Sequence, residues 1–539
     1  MEGQKVGIMI HIRDYAFEKD INIGKNKTAI NWPIVYLIEN GKQIYVGETN
    51  NFKRRMKQHY MNPEKRILKR VHLISDKDFN KSAIRDIESA LIGYFDADKK
   101  FELLNLNNGV INQDYYDRIT YKNKVPAIWE KLQGKGLAEK EIFQLENSDL
   151  FKYSPYKSLS DDQFEIAHMI LRDCFKEDRW LSFVEGNPGT GKTILAMYLL
   201  KILVHSKIKE NKKVALVVPM TSLRKTLKKV ARSIKGLKSS HVIAPGDVIK
   251  DEYDTLIIDE AHRLKRRVNI TNYKSFDDTN KYLGLDVYEG NQLDWIMASA
   301  NHHIFFYDEG QSIKPTDIEK EKFIELKLSR ASLHTSYTLV SQHRVKGGSE
   351  YIYYANNIMK NKNPKKISFE EYNVKLFSNF AVMNKQMDML EKEYKLVRMV
   401  SGYSFDWVSK KDKSKYDIVL DGVYKQWNTT SQDWVNSPNA EFEVGCIHTV
   451  QGYDLNYIGL IFGFEIDYDF DKNEITINKD KYFDIKGKSS IKNESDLKDY
   501  IVNIYITLMT RGIKGIYMYA CNKNFEKYLT QFFDKDDEK

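Results

Sequence analysis

Residues 180–193 read Trp-Leu-Ser-Phe-Val-Glu-Gly-Asn-Pro-Gly-Thr-Gly-Lys-Thr, an apolar run that breaks into a glycine-rich turn and ends on Lys192 and Thr193. From Gly186 the pattern is G-x-x-x-x-G-K-[ST], and Ile194 to Leu203 behind it reads as a helix. A strand, a glycine turn and a helix in that order make a phosphate-binding loop. Gly186, Gly189 and Gly191 let backbone N–H groups wrap an anion, and the helix N-terminus adds its dipole. Lys192 would reach the β- and γ-phosphates of ATP, and Thr193 would ligate Mg²⁺. Some way downstream, Thr255-Leu-Ile-Ile-Asp-Glu-Ala-His262 reads as a buried strand that delivers Asp259 and Glu260 at its C-terminal end. Asp259 would hold Mg²⁺ through water, and Glu260 would orient the attacking water.

Outward from this loop the alternation continues. Short apolar runs at 214–218, 255–258, 303–306 and 337–340 are separated by amphipathic stretches, which predicts a parallel sheet with helical crossovers. A looser version follows from about 345 to 539, with runs at 457–461 and 515–519. Upstream lies a compact mixed block to about residue 120, then a helical stretch, 127–144, and a linker-like Tyr-Ser-Pro-Tyr at 153–156. With 539 residues, 42% hydrophobic and 29% charged, the chain can bury several cores and is not disordered. Lys and Arg exceed Asp and Glu by 84 to 75, which permits a polyanionic partner without requiring one. Three cysteines far apart exclude a disulfide scaffold and a Cys-based zinc site and fit a reducing cytoplasm. No apolar run approaches a membrane span and no signal-peptide pattern opens the chain.

The residues around the loop resemble superfamily 1 helicases. Leu159-Ser-Asp-Asp-Gln163 is similar to the family's Q-motif, with Gln163 in the adenine-reading place. Phe306-Tyr-Asp-Glu-Gly-Gln311 is similar to G-D-x-x-Q, with Tyr307 in place of its leading Gly and Gln311 placed to sense the γ-phosphate. Leu339-Val-Ser-Gln-His-Arg344 and Ile504-Tyr-Ile-Thr-Leu-Met-Thr-Arg511 resemble the segments that supply two arginine fingers, Arg344 and Arg511. Gly445-Cys-Ile-His-Thr-Val-Gln-Gly452 resembles T-x-H-x-x-Q-G, which places Gly452 at the nucleotide. The resemblance implies ATP between two RecA-like lobes, whose closure would move them along a strand. Basic residues at 224, 225, 228, 229 and 232 share one predicted helix and are candidates for that strand. Lys265, Arg266 and Arg267 open an insertion, to about Gly284, with no assigned role.

The N-terminal block carries a second signature. Ile34-Val-Tyr36 and Tyr45-Val-Gly47 read as a hairpin turning at Asn40-Gly41. A helix follows that sets Arg55 and His59 four apart on one face, and a later helix carries Glu88. The set resembles the GIY-YIG endonucleases, with Ile34 where that family has its first glycine. The resemblance implies Glu88 as ligand of a divalent metal (Mg²⁺ or Mn²⁺), Arg55 on the scissile phosphate and Tyr36 as general base. Tyr45 and His59 would place water or phosphate, and Asn105 closes the family pattern. A tyrosine of ordinary pKa is a poor base, so its surroundings must lower that value. An added strand is expected at Gly7–Ile12.

The expected architecture is therefore α/β: a small mixed GIY-YIG domain (1–120), a linker helix (121–157) and two RecA-like parallel-sheet lobes (158–335 and 336–539). The whole resembles bacterial proteins that fuse such a nuclease to a helicase-related P-loop domain. The implied function is ATP-dependent DNA cleavage in the cytoplasm, in defence against phage or other foreign DNA. Two other readings stay open: a DNA-sensing ATPase switch with a degenerate nuclease module, and a structure-specific repair factor. RNA stays open as a substrate beside single- or double-stranded DNA, because the motor motifs contact backbone rather than bases. Oligomeric state and polarity of movement are not encoded in any motif.

Overall fold

The structure is a computed structural model that describes residues 10–24, 31–105, 115, 118–155, 159–174, 179–206, 213–234, 236–308, 316–330, 333–342, 345–430, 434–450, 453–484, 488 and 493–536. The chain divides between His168 and Met169 into two compact units.

The N-terminal unit is built on a five-stranded sheet. Its strands are β1 (His11–Ala16), β2 (Ile34–Glu39), β3 (Gln43–Thr49), β4 (Arg70–Ser75) and β5 (Glu102–Leu103), in the order β1-β4-β2-β3-β5. Asn40 and Gly41 close the expected hairpin: the Asn40 Oδ1 accepts the Lys42 and Gln43 N–H groups, and Gly41 takes a φ of 82°. The antiparallel register sets Tyr36 opposite Gly47. Helix α1 (Phe52–Tyr60) follows β3 and is capped by Asn51. Helix α2 (Lys81–Asp98) is capped by Asn80 and buries Ile84, Ile87, Leu91 and Phe95. Of the added strand expected at Gly7–Ile12, residues 7–9 lie outside the described residues; His11 and Ile12 open β1, which pairs with β4.

The expected linker helix is instead a set of short helices, among them Val125–Gly134, Ile142–Asn147 and Asp149–Tyr153, within the N-terminal unit. Trp129 packs on Tyr94 and Phe95, and Phe151 stacks on Tyr94. The carboxylate of Asp98 at the end of α2 accepts the Glu139 and Lys140 N–H groups, and Asp96 accepts the Ser154 hydroxyl. Burying these aromatic rings offsets the cost of ordering the segment, which a free linker could not do.

In the C-terminal unit two parallel sheets carry the architecture. The first comprises β6 (Trp180–Gly186), β7 (Val214–Val217), β8 (Val242–Ile243), β9 (Tyr253–Ile258), β10 (Ala300–Tyr307) and β11 (His334–Leu339), ordered β11-β6-β10-β9-β7-β8. Every pair is parallel, so both faces need cover, and the strands read as nearly continuous apolar runs. Strand β11 crosses the expected boundary at 335, so the first sheet extends to Leu339. The second sheet takes β12 (Asn373–Phe377), β13 (Val397–Ser401), β14 (Ile418–Leu420), β15 (Val423–Trp427), β16 (Glu443–Cys446), β17 (Leu455–Phe462) and β20 (Gly512–Ala520), ordered β12-β20-β17-β13-β16-β15-β14. Only β14 runs antiparallel to its neighbour there. A separate hairpin, β18 (Ile466–Asp469) with β19 (Glu474–Ile477), interrupts the chain. Among the described residues no helix is long and apolar enough to cross a membrane.

The insertion after β9 is well packed. Arg267 forms a two-pronged pair with Asp277, at 2.6 and 2.9 Å, and lies over the rings of Tyr273 and Tyr288. Asn280 ties the segment down by donating to the carbonyls of Val287 and Gly290 and accepting the Trp295 indole N–H.

At β16 the backbone of Gly445 lies under the Trp434 ring, and a Cβ there would sit 2.3 Å from it. The indole is anchored by a 2.7 Å bond to Glu443 and cannot retreat. Gly445→Ala is expected to destabilise the C-terminal unit by about 1–3 kcal/mol, read as a lower urea midpoint of the full chain.

Candidate functional sites

The first site forms where β2, β3 and α1 of the N-terminal unit converge. Tyr36 is fully buried on β2 and lies across Gly47, where a Cβ would stand 2.3 Å from the phenol oxygen. The glycine of Tyr-Val-Gly is thus an approach point for the phenol ring. From α1, Arg55 Nε donates to the Tyr36 oxygen at 3.2 Å, and His59 Nε2 lies 2.7 Å from the same oxygen. A spacing of four on one helix lets both side chains reach one atom. The Tyr36 hydroxyl then donates to the imidazole while accepting from the guanidinium. Tyr45 packs edge-on against His59, with ring centres 4.9 Å apart.

Burial sets the protonation states. Burial and Tyr45 push the Tyr36 phenol well above its usual range, and Arg55 opposes them without winning. Burial, Lys65 and Arg55 depress the His59 imidazole to about 3, so it is neutral and resists taking a proton. The 2.7 Å contact gives a proton of Tyr36 a geometric route to His59, but burial raises the phenol and depresses the imidazole, so the surroundings do not lower the tyrosine's value as the sequence reading required. Glu88 on α2 is pushed up to about 7 by burial and by Glu48. Glu48 is in turn paired with Lys81. A buried carboxyl whose proton affinity is raised by a neighbouring carboxylate fits a divalent cation, which removes that repulsion. Among the described residues no three His, Cys, Asp or Glu side chains converge on one point, so such a cation would keep several water ligands.

Asn105 does not join these side chains. Its amide is spent on the backbone of Val46, donating to the carbonyl at 2.8 Å and accepting the N–H at 2.9 Å. It fixes β3 between Tyr45 and Gly47 and so holds the site from behind.

The second site lies at the C-terminal ends of β6, β9 and β10. Gly189 and Gly191 take φ values of 87° and 78°, conformations that side chains resist, and the helix Lys192–His205 starts directly behind them. Thr193 donates to Asp259 at 2.8 Å, which brings together the two predicted Mg²⁺ ligands. Lys192 folds back onto the carbonyl of Asn187 and pairs with Asp308 at 3.0 Å, both side chains nearly dry. Burial and Glu260 push the Asp259 carboxyl up. For Glu260 burial acts the same way, but His262, Lys192 and Arg511 outweigh it and keep the carboxylate ionised. His262 Nε2 stands 2.9 Å from Glu260 Oε2. Arg511 is buried at the start of β20 and acts on Glu260, so the second expected finger faces the acid pair.

Three predicted residues, Gln311, Arg344 and Gly452, lie outside the described residues. Gln163 is buried in the N-terminal unit, where its side chain accepts the Ser160 N–H. That contact is one half of a capping box over Ser160-Asp-Asp-Gln163. Arg224 turns back to cap the end of β7, donating to the carbonyls of Val218 and Pro219, and leaves the basic helix face. Two participants lie inside the helicase-like stretches quoted above but had been given no role there. Asp308 holds Lys192 from 116 positions away. Gln342 donates to the Pro188 carbonyl of the phosphate loop at 2.7 Å.

Residues 179–522, more than half of the chain, match the family model described as "Schlafen group 3, DNA/RNA helicase domain", and residues 33–102 match the GIY-YIG catalytic domain. An uncharacterized protein of Saccharomyces cerevisiae is 25% identical over 390 residues, which cover 64% of this chain and 83% of that protein. Among solved structures, the arterivirus nonstructural protein 10 helicase is 12% identical, covering 68% of this chain and 64% of that one, with a TM-score of 0.30. The Bacteroides Pif1 helicase with ADP-AlF3 and single-stranded DNA is 12% identical, covering 70% and 95%, with a TM-score of 0.28.

Gly47→Ala is expected to displace the Tyr36 ring and destabilise the N-terminal unit by about 1–3 kcal/mol, measurable as earlier proteolysis of that unit. His59 gives a pH signature. Its folded value near 3 lies below the ordinary 6.5, so the unfolded chain takes up the proton first as pH falls. The wild type should therefore lose stability relative to His59→Gln from about pH 6.5 downward, by up to about 1.4 kcal/mol per pH unit. The effect levels off near pH 3. Comparing the two proteins by denaturant unfolding cancels the other titrating groups.

Proposed function

We propose, for a chain that belongs to the Schlafen group 3 helicase family and carries a GIY-YIG catalytic domain ahead of it, that ATP turnover in the C-terminal unit governs metal-dependent phosphodiester cleavage by the N-terminal unit. The observation that carries the nuclease half is the convergence of Arg55 and His59 on the Tyr36 oxygen. Arg55 would hold the scissile phosphate through its planar donors. Tyr36 would take a proton from the attacking water as its own moves to His59. Burial is the main cause of the depressed His59, and a phosphate beside Arg55 would offset only the smaller part that Lys65 and Arg55 add. A divalent cation at Glu88 would supply neutralisation of the charge that develops on the phosphate.

In the C-terminal unit ATP is the substrate. Lys192 would exchange Asp308 for the β- and γ-phosphates, and Thr193 with Asp259 would hold Mg²⁺. Glu260, kept ionised by its cationic neighbours, would orient the attacking water. Arg511 would bring transition-state stabilisation from the second sheet, so hydrolysis would depend on how the lobes close. The nucleic acid would be DNA, and the cellular role cytoplasmic defence against foreign DNA; a nuclease answering to an ATPase is one its host can restrain.

The test is cleavage of plasmid, branched and single-stranded DNA and of RNA by the full chain with Mg²⁺ or Mn²⁺, with and without ATP. Glu88→Gln should lower cleavage on the order of 100-fold or more while leaving ATP hydrolysis intact. Lys192→Ala should abolish ATP hydrolysis and the ATP dependence of cleavage. Equal cleavage with and without nucleotide would sink the coupling. ATP hydrolysis with no cleavage of any substrate would favour the sensing switch instead.

A further inference from the structure

We infer that Lys65 is a second phosphate-binding residue of the nuclease site and grips the scissile linkage together with Arg55. The inference rests on the nuclease reading but uses a residue that neither the motifs nor the family match singles out by role. Lys65 lies in the turn between α1 and β4. Asn62 builds that turn: its carbonyl accepts the Lys65 and Arg66 N–H groups, and its side chain accepts the Glu64 N–H. The Asn62 N–H in turn bonds the His59 carbonyl, so the turn is fastened to the last turn of α1. This arrangement points the Lys65 ammonium onto the face of Tyr45, 3.4 Å from the ring centre.

That placement is costly unless an anion visits. Among the described residues no carboxylate lies within ion-pair distance of Lys65 or of Arg55, and the Tyr45 ring offers only the weak attraction of its π face. Lys65 is lowered to about 8 by burial and Arg55, with Glu64 opposing, and His59 is depressed by burial, Lys65 and Arg55. Two groups therefore register a positive field over the tyrosines. Glu88 and Glu48 face a cation on their side; the counterpart missing on this side is an anion. In a site that acts on phosphodiesters, a phosphate oxygen between Arg55 and Lys65 fits that field. Lys65 is half-exposed and so within reach of a substrate. An ammonium is a point charge that follows the oxygens as they move, whereas the guanidinium fork sets orientation, so the two cations have separate tasks.

Two measurements test this. The first reads contact without cleavage. The full chain with Glu88→Gln is reacted with an amine-acetylating reagent at pH 8, with and without a short single-stranded oligonucleotide, and modification of Lys65 is read by mass spectrometry. The expected result is that Lys65 is protected several-fold by the oligonucleotide, while Lys99, the residue that follows α2, keeps its rate. Unchanged Lys65 modification overturns the inference. The second measurement reads chemistry: Lys65→Met should lower cleavage about 100-fold, and Lys65→Arg should restore most of it with the melting temperature of both variants unchanged. A Lys65→Met chain that cleaves at the wild-type rate also overturns it. Protection of Lys65 in a chain that cleaves nothing would preserve the phosphate contact and remove the nuclease reading, so the two failures are separable.

Discussion

Lys192 and Asp308 meet at 3.0 Å in a nearly dry pocket, and the phosphate loop is organised around that pair. A lone ammonium or carboxylate buried there would cost several kcal/mol, so each end requires the other until a phosphate arrives. The pair joins the loop after β6 to the end of β10, adjacent strands of one parallel sheet. It keeps the end of β10 beside the phosphate loop, while Thr193 holds Asp259 from β9 in the same way. Three strand ends are thereby fixed at one point, where a parallel sheet presents its loops. The nuclease site follows a related logic with a phenol in place of a carboxylate. Tyr36 is held by a donor on one side and an acceptor on the other, and the absent side chain of Gly47 makes room for it.

What the sequence made legible was contiguous. The glycine turn, the Asp-Glu pair and the Tyr-Val-Gly hairpin are short stretches whose chemistry and local structure coincide, and all three take the expected form. Arg55 and His59 were legible because helix periodicity alone puts them on one face. Asp308 stood in plain view at the Asp of the G-D-x-x-Q-like stretch, but its pairing was hidden because Lys192 is 116 positions away. Asn105 shows the opposite error: it occupies a position where a family motif has a functional amide, yet it spends both ends of that amide on backbone and pins β3. Gln163 likewise gives its carbonyl oxygen to a backbone N–H. A side chain's type and position do not reveal whether its hydrogen bonds are already taken. Arg224 repeats the lesson on the basic helix, where a charge count suggests a surface and the structure shows a cap. Lys65 belongs to neither group: it lies in a turn, where no periodicity predicts direction, and only the fold brings it to Tyr45.

The packing of residues 125–154 on α2 bears on how such a nuclease can be moved between proteins. The recognisable catalytic stretch ends at residue 102. The amide that pins β3 comes from Asn105, and the aromatic cover of α2 comes from Trp129 and Phe151. A segment cut to the recognisable boundary would leave Val46 without its clamp and expose Tyr94 and Phe95 to water. The heritable module, the piece that recombination could transplant intact, is therefore longer than its signature, and a fusion partner joined at the signature's edge would have to supply a new roof for α2.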